Sequence, residues 1–177
     1  MADERWEIIL SGIGGQGLVS SGNILGEAAS EYEDKFVTMT MTYGVSARGG
    51  FSKSDILIDE EFVPYYKALN PGIVLVLADK AYGKIKDKIG PETLVIINED
   101  EVENYDENLG DVHSFPLSEL AFEVGSLKTL NVLALSLIVG KTGLIKRENL
   151  EKTIANKYPE AKELNMKAVE KGFELAQ

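Results

Sequence analysis

The sequence predicts a three-layer α/β/α fold, in which helices flank a mostly parallel or mixed central sheet. Three observations support this fold class. Short apolar runs alternate with helical segments through the first part of the chain. A glycine-rich turn separates the first apolar run from the first helical segment. The C-terminal third contains helical patterns alone, and the length fits one domain over residues 1–177.

Five segments have the composition of β-strands. Ile73–Leu77 is apolar at every position, which is typical of a strand buried on both faces of a parallel sheet. Phe36–Met41 instead mixes threonine, valine and methionine, which suits a partly exposed pleated surface. The predicted strands are 6–10, 36–41, 51–58, 73–77 and 93–97.

Helical spacing of apolar residues predicts five helices. The first directly follows the glycine turn, and the second stops at Gly90-Pro91. The acidic stretch from Asn98 to Asp111 shows neither the helical nor the strand-like spacing of apolar residues and is predicted to be a surface loop. The predicted helices are 18–32, 80–89, 127–141, 146–157 and 160–177.

Composition excludes several kinds of function. The net charge of −11 disfavours nucleic acid and anionic membranes as partners. The chain has no cysteine and one histidine, His113, so we expect no iron–sulfur cluster and no Cys/His zinc site within it. The charged N-terminus and the shortness of the longest apolar run, 130–139, predict a cytoplasmic protein. Any electrons in its chemistry are therefore expected to be carried elsewhere.

The glycine turn Gly12–Gly17 reads GIGGQG and satisfies the pattern G-x-G-x-x-G. It lies after a predicted strand and before a predicted helix, which is the context that gives the pattern meaning. Backbone N–H groups and the positive end of the helix dipole then favour a phosphate. The alternative is a turn whose glycines only allow the helix to pack closely on the sheet.

Two common nucleotide sites do not fit this turn. An NAD site requires a carboxylate at the end of the second strand, and Val37–Thr42 contains none. A P-loop requires Lys-Ser/Thr at the end of the glycine turn, and Gly17 is followed by Leu18. The sequence therefore argues against a nicotinamide dehydrogenase and against a P-loop nucleotidase.

A second unusual segment, Thr42–Gly50, joins the second and third predicted strands. Arg48 lies among its glycines and can form a bidentate contact with a carboxylate or a phosphate. A surface hairpin with an exposed arginine fits the pattern equally well. Because this segment and the glycine turn both follow strands, we expect them to converge at one edge of the sheet.

Together the two segments resemble the gamma subunit of 2-oxoacid:ferredoxin oxidoreductases, which is similar to domain III of pyruvate:ferredoxin oxidoreductase. The first signature is Gly12–Gly17, and the second is Tyr43-Gly44 with Arg48–Gly50. Asn131 and Asn165 also occur where the family pattern has asparagine. From its place at the start of an apolar helix, Asn131 is expected to cap that helix, with a bond to a neighbouring loop as the alternative. The resemblance covers essentially the whole chain, and the two signatures in this order are specific.

The sequence departs from the family at two places outside the signatures. Pro71-Gly72 stands where members often have an aspartate before a strand. Leu135-Ser136 replaces a more usual Leu-Gly. The form Ala-Arg-Gly-Gly in the second signature is more similar to the 2-oxoglutarate type than to the pyruvate type.

The resemblance implies that the cofactors of the enzyme are distributed among several subunits. Thiamine diphosphate and the iron–sulfur clusters belong to other subunits or domains. The implied partners are alpha and beta subunits, with a delta subunit in some complexes, and ferredoxin is reached through the complex. The gamma part is associated with coenzyme A at a shared site, and no catalytic residue is expected in this chain. The residues expected to contact coenzyme A or its neighbouring subunit are Gly12, Gly14, Gly15, Gln16, Gly17, Tyr43, Ser46, Arg48 and Gly49.

Two other interpretations stay open at this point. The glycine turn also fits a free-standing nucleotide-binding α/β protein. A purely structural interaction subunit would need the same loops for assembly alone.

Overall fold

A computed structural model describes residues 5–46 and 49–177. These residues form a six-stranded sheet in the order β2-β3-β1-β4-β5-β6. The strands are β1 (Trp6–Ile13), β2 (Phe36–Tyr43), β3 (Phe51–Asp59), β4 (Ile73–Val76), β5 (Leu94–Asn98) and β6 (Asp111–Phe115). The helices are α1 (Leu18–Tyr32), α2 (Asp79–Ile85), α3 (Leu117–Val124), α4 (Leu130–Thr142), α5 (Arg147–Lys157) and α6 (Lys162–Leu175).

The sheet is mixed. β1, β4, β5 and β6 run parallel, whereas β3 lies antiparallel between β1 and β2. The short connection between β2 and β3 forces this direction, because parallel neighbours need a long crossover. β1 and β2 consequently run in the same direction, and their carboxyl ends lie at one edge of the sheet.

Helices cover the two faces unequally. Residues of α1, α3, α4, α5 and α6 join one apolar core on the first face, and α2 packs with a smaller core on the other. Residues 130–139 of α4 are all buried, which explains an apolar pattern on every side of this helix. Its partner α6 packs closely because a Cβ at Gly172 would lie 2.6 Å from the Leu133 carbonyl oxygen.

The fold class and most elements agree with the sequence, but two elements were not predicted. The loop after Asn98 is present, and it ends in β6 and then α3. β6 is an edge strand without buried positions, so it lacks a strong apolar pattern. His113 lies in β6, where its ring pairs with Asp111 at 3.1 Å. The second helix is shorter than predicted, ending at Ile85 in a 3₁₀ turn.

Within residues 5–46 and 49–177, no single helix is long and apolar enough to cross a membrane. One pair bent by 118°, Leu117–Val124 with Leu127–Thr142, reaches the required length and composition together. The apolar part of that pair is the buried core of α4.

Candidate functional site

The glycine turn between β1 and α1 requires glycine for its backbone geometry. Gly15 and Gly17 have φ angles of 98° and 75°, in the left-handed region that side chains rarely adopt. The N–H of Gly14 donates to the carbonyl oxygen of Gly50 at 3.0 Å. This bond joins the turn to the β2–β3 connection, so the expected convergence of the two loops is confirmed.

The side chain of Gln16 holds the turn in place. Its Oε1 accepts from the Ile13 N–H at 2.9 Å, and its Nε2 donates to the Leu77 carbonyl oxygen at 3.1 Å. A Cβ at Gly12 would lie 2.3 Å from that same Oε1. Gly12 therefore makes room for Gln16, and the Gln16 amide fastens the turn to the carboxyl end of β4.

The N-terminus of α1 is open. Gly17 is its N-cap residue, no side chain caps it, and its first turn has no acidic residue. The first N–H groups of a helix have no intrahelical acceptor, and the helix dipole adds a partial positive charge. The end of α1 is therefore suited to bind an anion.

A cavity of about 430 Å³ lies against this helix end. Another wall is formed by the starts of α3, α4 and α6 and by the 3₁₀ turn Leu127–Thr129 before α4; these elements contribute Ser118, Lys128, Asn131 and Asn165. Gly17 touches this wall, because a Cβ there would lie 2.8 Å from the Asn131 side-chain amide. The packing of α4 and α6 therefore brings distant parts of the chain to the glycine turn.

Two nearly buried asparagines aim polar groups at this cavity. Asn131 and Asn165 are 7% and 6% exposed, and both line the pocket. Among the described residues, no hydrogen bond joins either side-chain amide to the protein, and neither amide is a fully buried group left without a partner, so both are open to the cavity. A few polar groups that converge in a pocket of this kind are typical of a ligand site. The arrangement therefore fits a ligand that carries hydrogen-bonding groups of its own.

The sequence alone favours a capping role for Asn131, and the structure contradicts this. Thr129 occupies the N-cap position of α4, and Asn131 lies inside the helix. Its side chain instead faces the cavity beside Gly17.

The charges around the cavity are mixed. Lys128 and Glu101 both line it, and both are exposed. In a chain of net charge −11, Lys128 and the open end of α1 supply local positive potential. Ser118 is held by Asn98 at the end of β5, whose Nδ2 donates to the serine Oγ at 2.9 Å.

The predicted site residues fall into two groups. Gly15, Gln16 and Gly17 line the cavity, while Gly12 and Gly14 shape the turn behind it. The remaining predicted contacts do not line the cavity: Tyr43 ends β2, and Ser46 and Gly49 lie in the β2–β3 connection. Arg48 lies outside the described residues.

Sequence reasoning missed Lys128 as a cavity residue. One signal was present in the sequence: Lys128 lies just before the apolar helix that contains Asn131, a position where the family pattern has asparagine. No group of three His, Asp or Glu side chains within the described ranges is arranged to hold a metal ion.

Comparison with known proteins gives matches over nearly the whole chain. Residues 7–175 match the family model described as pyruvate ferredoxin/flavodoxin oxidoreductase. The 2-oxoglutarate synthase subunit KorC of Methanocaldococcus jannaschii is 37% identical, and the alignment covers 97% of this chain and 94% of that protein. The common gamma subunit of pyruvate/ketoisovalerate oxidoreductases from Pyrococcus abyssi is 30% identical, with 97% of each chain covered.

Solved structures have the same fold. The gamma subunit of a keto/oxoacid ferredoxin oxidoreductase from Geobacter sulfurreducens superposes with a TM-score of 0.85, at 33% identity, over 97% of this chain and 98% of that one. A 2-oxoglutarate:ferredoxin oxidoreductase from Magnetococcus marinus, solved with 2-oxoglutarate, coenzyme A and succinyl-CoA bound, gives a TM-score of 0.86 at 23% identity. That match covers 98% of this chain and 31% of the longer chain.

Proposed function

Because the chain belongs to the pyruvate ferredoxin/flavodoxin oxidoreductase family, we propose that it is the gamma subunit of a 2-oxoacid:ferredoxin oxidoreductase. The complex oxidatively decarboxylates a 2-oxoacid to its acyl-CoA and passes the electrons to ferredoxin. The correspondence with KorC and gamma subunits over almost their full length supports this assignment. In this proposal, partner subunits hold thiamine diphosphate and the iron–sulfur clusters, since this chain has no cysteine.

The proposed oxoacid is 2-oxoglutarate. Four relatives, 29% to 37% identical to this chain, are 2-oxoglutarate synthase subunits. Three gamma subunits shared by pyruvate and ketoisovalerate enzymes are 28% to 30% identical. The Ala-Arg-Gly-Gly form of the second signature supports the same preference.

The proposed role of the cavity is to hold part of coenzyme A, and the two unpaired asparagines carry this proposal. Coenzyme A has phosphate groups and an arm with two amides. The open end of α1 and Lys128 suit a phosphate, whereas Asn131 and Asn165 suit the amides. The volume of about 430 Å³ is within the usual range of roughly 300–1,000 Å³ for ligand pockets.

This chain then binds and orients coenzyme A and takes no proton from it. The hydrogen bonds of Gln16 fix the position of the turn, and Gly17 leaves room for the Asn131 amide. We assign no catalytic acid, base or nucleophile to the chain. The predicted contacts of Tyr43, Ser46, Arg48 and Gly49 belong, in this proposal, to the side of the shared site that a partner subunit completes.

The experiment is steady-state kinetics of the reconstituted complex with Lys128→Gln. Loss of one exposed cationic contact to a phosphate costs about 1 kcal/mol, so the KM for coenzyme A should rise about fivefold. The KM for the oxoacid should not change. Lys84→Gln is the matched control, because Lys84 is an exposed lysine of α2 on the other face of the sheet.

The competing interpretations give different results. Binding of NAD or ATP by the isolated chain, with turnover, would support a free-standing nucleotide-binding enzyme. If Lys128→Gln and Asn131→Ala impaired assembly but left coenzyme A affinity unchanged, the chain would be a structural subunit.

A further inference from the structure

The outer edge of β2 is an unprotected strand edge. β2 is the last strand of the sheet order, so one side of it has no neighbouring strand among the described residues. Proteins usually protect such an edge with charges, proline or a bulge. β2 contains neither a charge nor a proline, and its pairing with β3 is unbroken from Phe36 to Tyr43. The edge therefore offers an uncharged row of backbone donors and acceptors.

The side chains of β2 alternate between two environments. Met39 packs on Gly22 of α1, where a Cβ would lie 2.5 Å from its terminal methyl. Thr40 faces the other way, and its hydroxyl donates to the Tyr66 carbonyl oxygen at 2.7 Å. All residues of β2 are at least partly exposed. A strand added at this edge would therefore meet methionines on one face and threonines on the other.

The sequence of β2 is nearly palindromic about Thr40. Thr38 and Thr42 are symmetric about it, as are Met39 and Met41. A second copy pairing antiparallel about a two-fold axis at Thr40 would place each of these residues opposite its like, on the same face of the sheet. Threonine pairs and apolar pairs in such positions stabilise a sheet.

The pairs at the ends of β2 also fit. In this register Phe36 lies opposite Gly44 of the second copy, and aromatic rings commonly cover glycines across strands. Phe36 is 50% exposed in the single chain. β2 contains no charged residue, so the net charge of −11 on each chain does not cause repulsion between charged side chains at this contact.

We propose that two copies of this chain associate through their β2 edges, which joins the two sheets into one. An extended segment of another chain would satisfy the same backbone groups, but it would not require a palindromic strand. The near-symmetry about Thr40 is therefore what favours a second copy. The cavity itself is not part of this contact, because no residue of β2 lines it.

The first test measures the full chain alone. Light scattering during gel filtration at tens of micromolar should give twice the chain mass of 19.4 kDa. Hydrogen exchange should show that the β2 amides pointing away from β3 are protected, and this protection should be lost on dilution. A monomer in which these outward amides become protected only after partner subunits are added would overturn the proposal in favour of a partner strand. A monomer in which they exchange freely in every state would overturn it outright.

A matched pair of variants tests the register. Thr38→Glu with Thr42→Glu puts like charges opposite each other across the two-fold axis, and the dimer should weaken at least tenfold. Thr38→Lys with Thr42→Glu puts opposite charges there, and the dimer should return to within about threefold of wild type. Thr42→Glu is present in both variants, so any interaction with Lys53, which pairs with Thr42 in β3, is the same in the two and does not affect their comparison. Equal melting temperatures would exclude a folding defect, and equal dimerisation of the two variants would refute the register.

Discussion

Gly17→Ala is the most direct test of how the cavity is built. The left-handed backbone at Gly17, with φ of 75°, should cost alanine about 1–2 kcal/mol. The new Cβ would also lie 2.8 Å from the Asn131 amide, and overpacking of this kind costs about 1–3 kcal/mol. The free energy of unfolding should therefore fall by about 2–5 kcal/mol in urea denaturation.

Gly143→Ala separates these two contributions. Gly143 has a φ of 65°, and a Cβ there would meet nothing within 4 Å. This control should lose only the backbone contribution of about 1–2 kcal/mol. If Gly17→Ala destabilised the chain no more than Gly143→Ala, the inferred contact between the glycine turn and α4 would be wrong. In the reconstituted complex, Gly17→Ala alone should also raise the KM for coenzyme A.

Two further predictions concern the turn and the opposite end of the sheet. Gln16→Ala removes two hydrogen bonds and should lower the free energy of unfolding by about 1–3 kcal/mol. An unchanged urea midpoint would contradict the inference that the Gln16 amide holds the glycine turn against β4. Burial raises the pKa of Asp59, but hydrogen bonds from Arg5 and the Glu61 N–H outweigh it, and the net pKa is below the ordinary value. The resulting stability is present above about pH 4, the unfolded pKa, and is lost as the pH falls further. Wild type should therefore lose stability below pH 4 more steeply than Asp59→Asn, and parallel pH profiles would refute this.

The sequence predicted the elements whose signals are local. The buried strand at Ile73–Leu77 and the helix after Gly17 have strong apolar periods, and the structure contains both. β6 and α3 were missed because β6 is a short edge strand without buried positions and α3 has eight residues. The pairing of β3 with both β1 and β2 was also not predicted, since strand order depends on contacts between distant segments.

The candidate site was predicted in part. The glycine turn and its neighbouring loop are recognisable because glycine tolerates left-handed backbone that other residues avoid. The role of Gln16 could not be read from the sequence, because its hydrogen bond to Leu77 depends on where β4 ends. Contact with coenzyme A stays a prediction for every residue of the predicted site: Gly12, Gly14, Gly15, Gln16, Gly17, Tyr43, Ser46, Arg48 and Gly49.

The sequence by itself determined the α/β fold class, the glycine turn and the absence of cysteine chemistry, because these follow from local periodicity, backbone freedom and composition. The tertiary structure alone decided which residues face that turn. Lys128, Asn131 and Asn165 lie far along the chain, and they reach the end of α1 only because α4 is buried and α6 packs against it. A cavity wall of this kind is a consequence of helix packing, which no local pattern encodes.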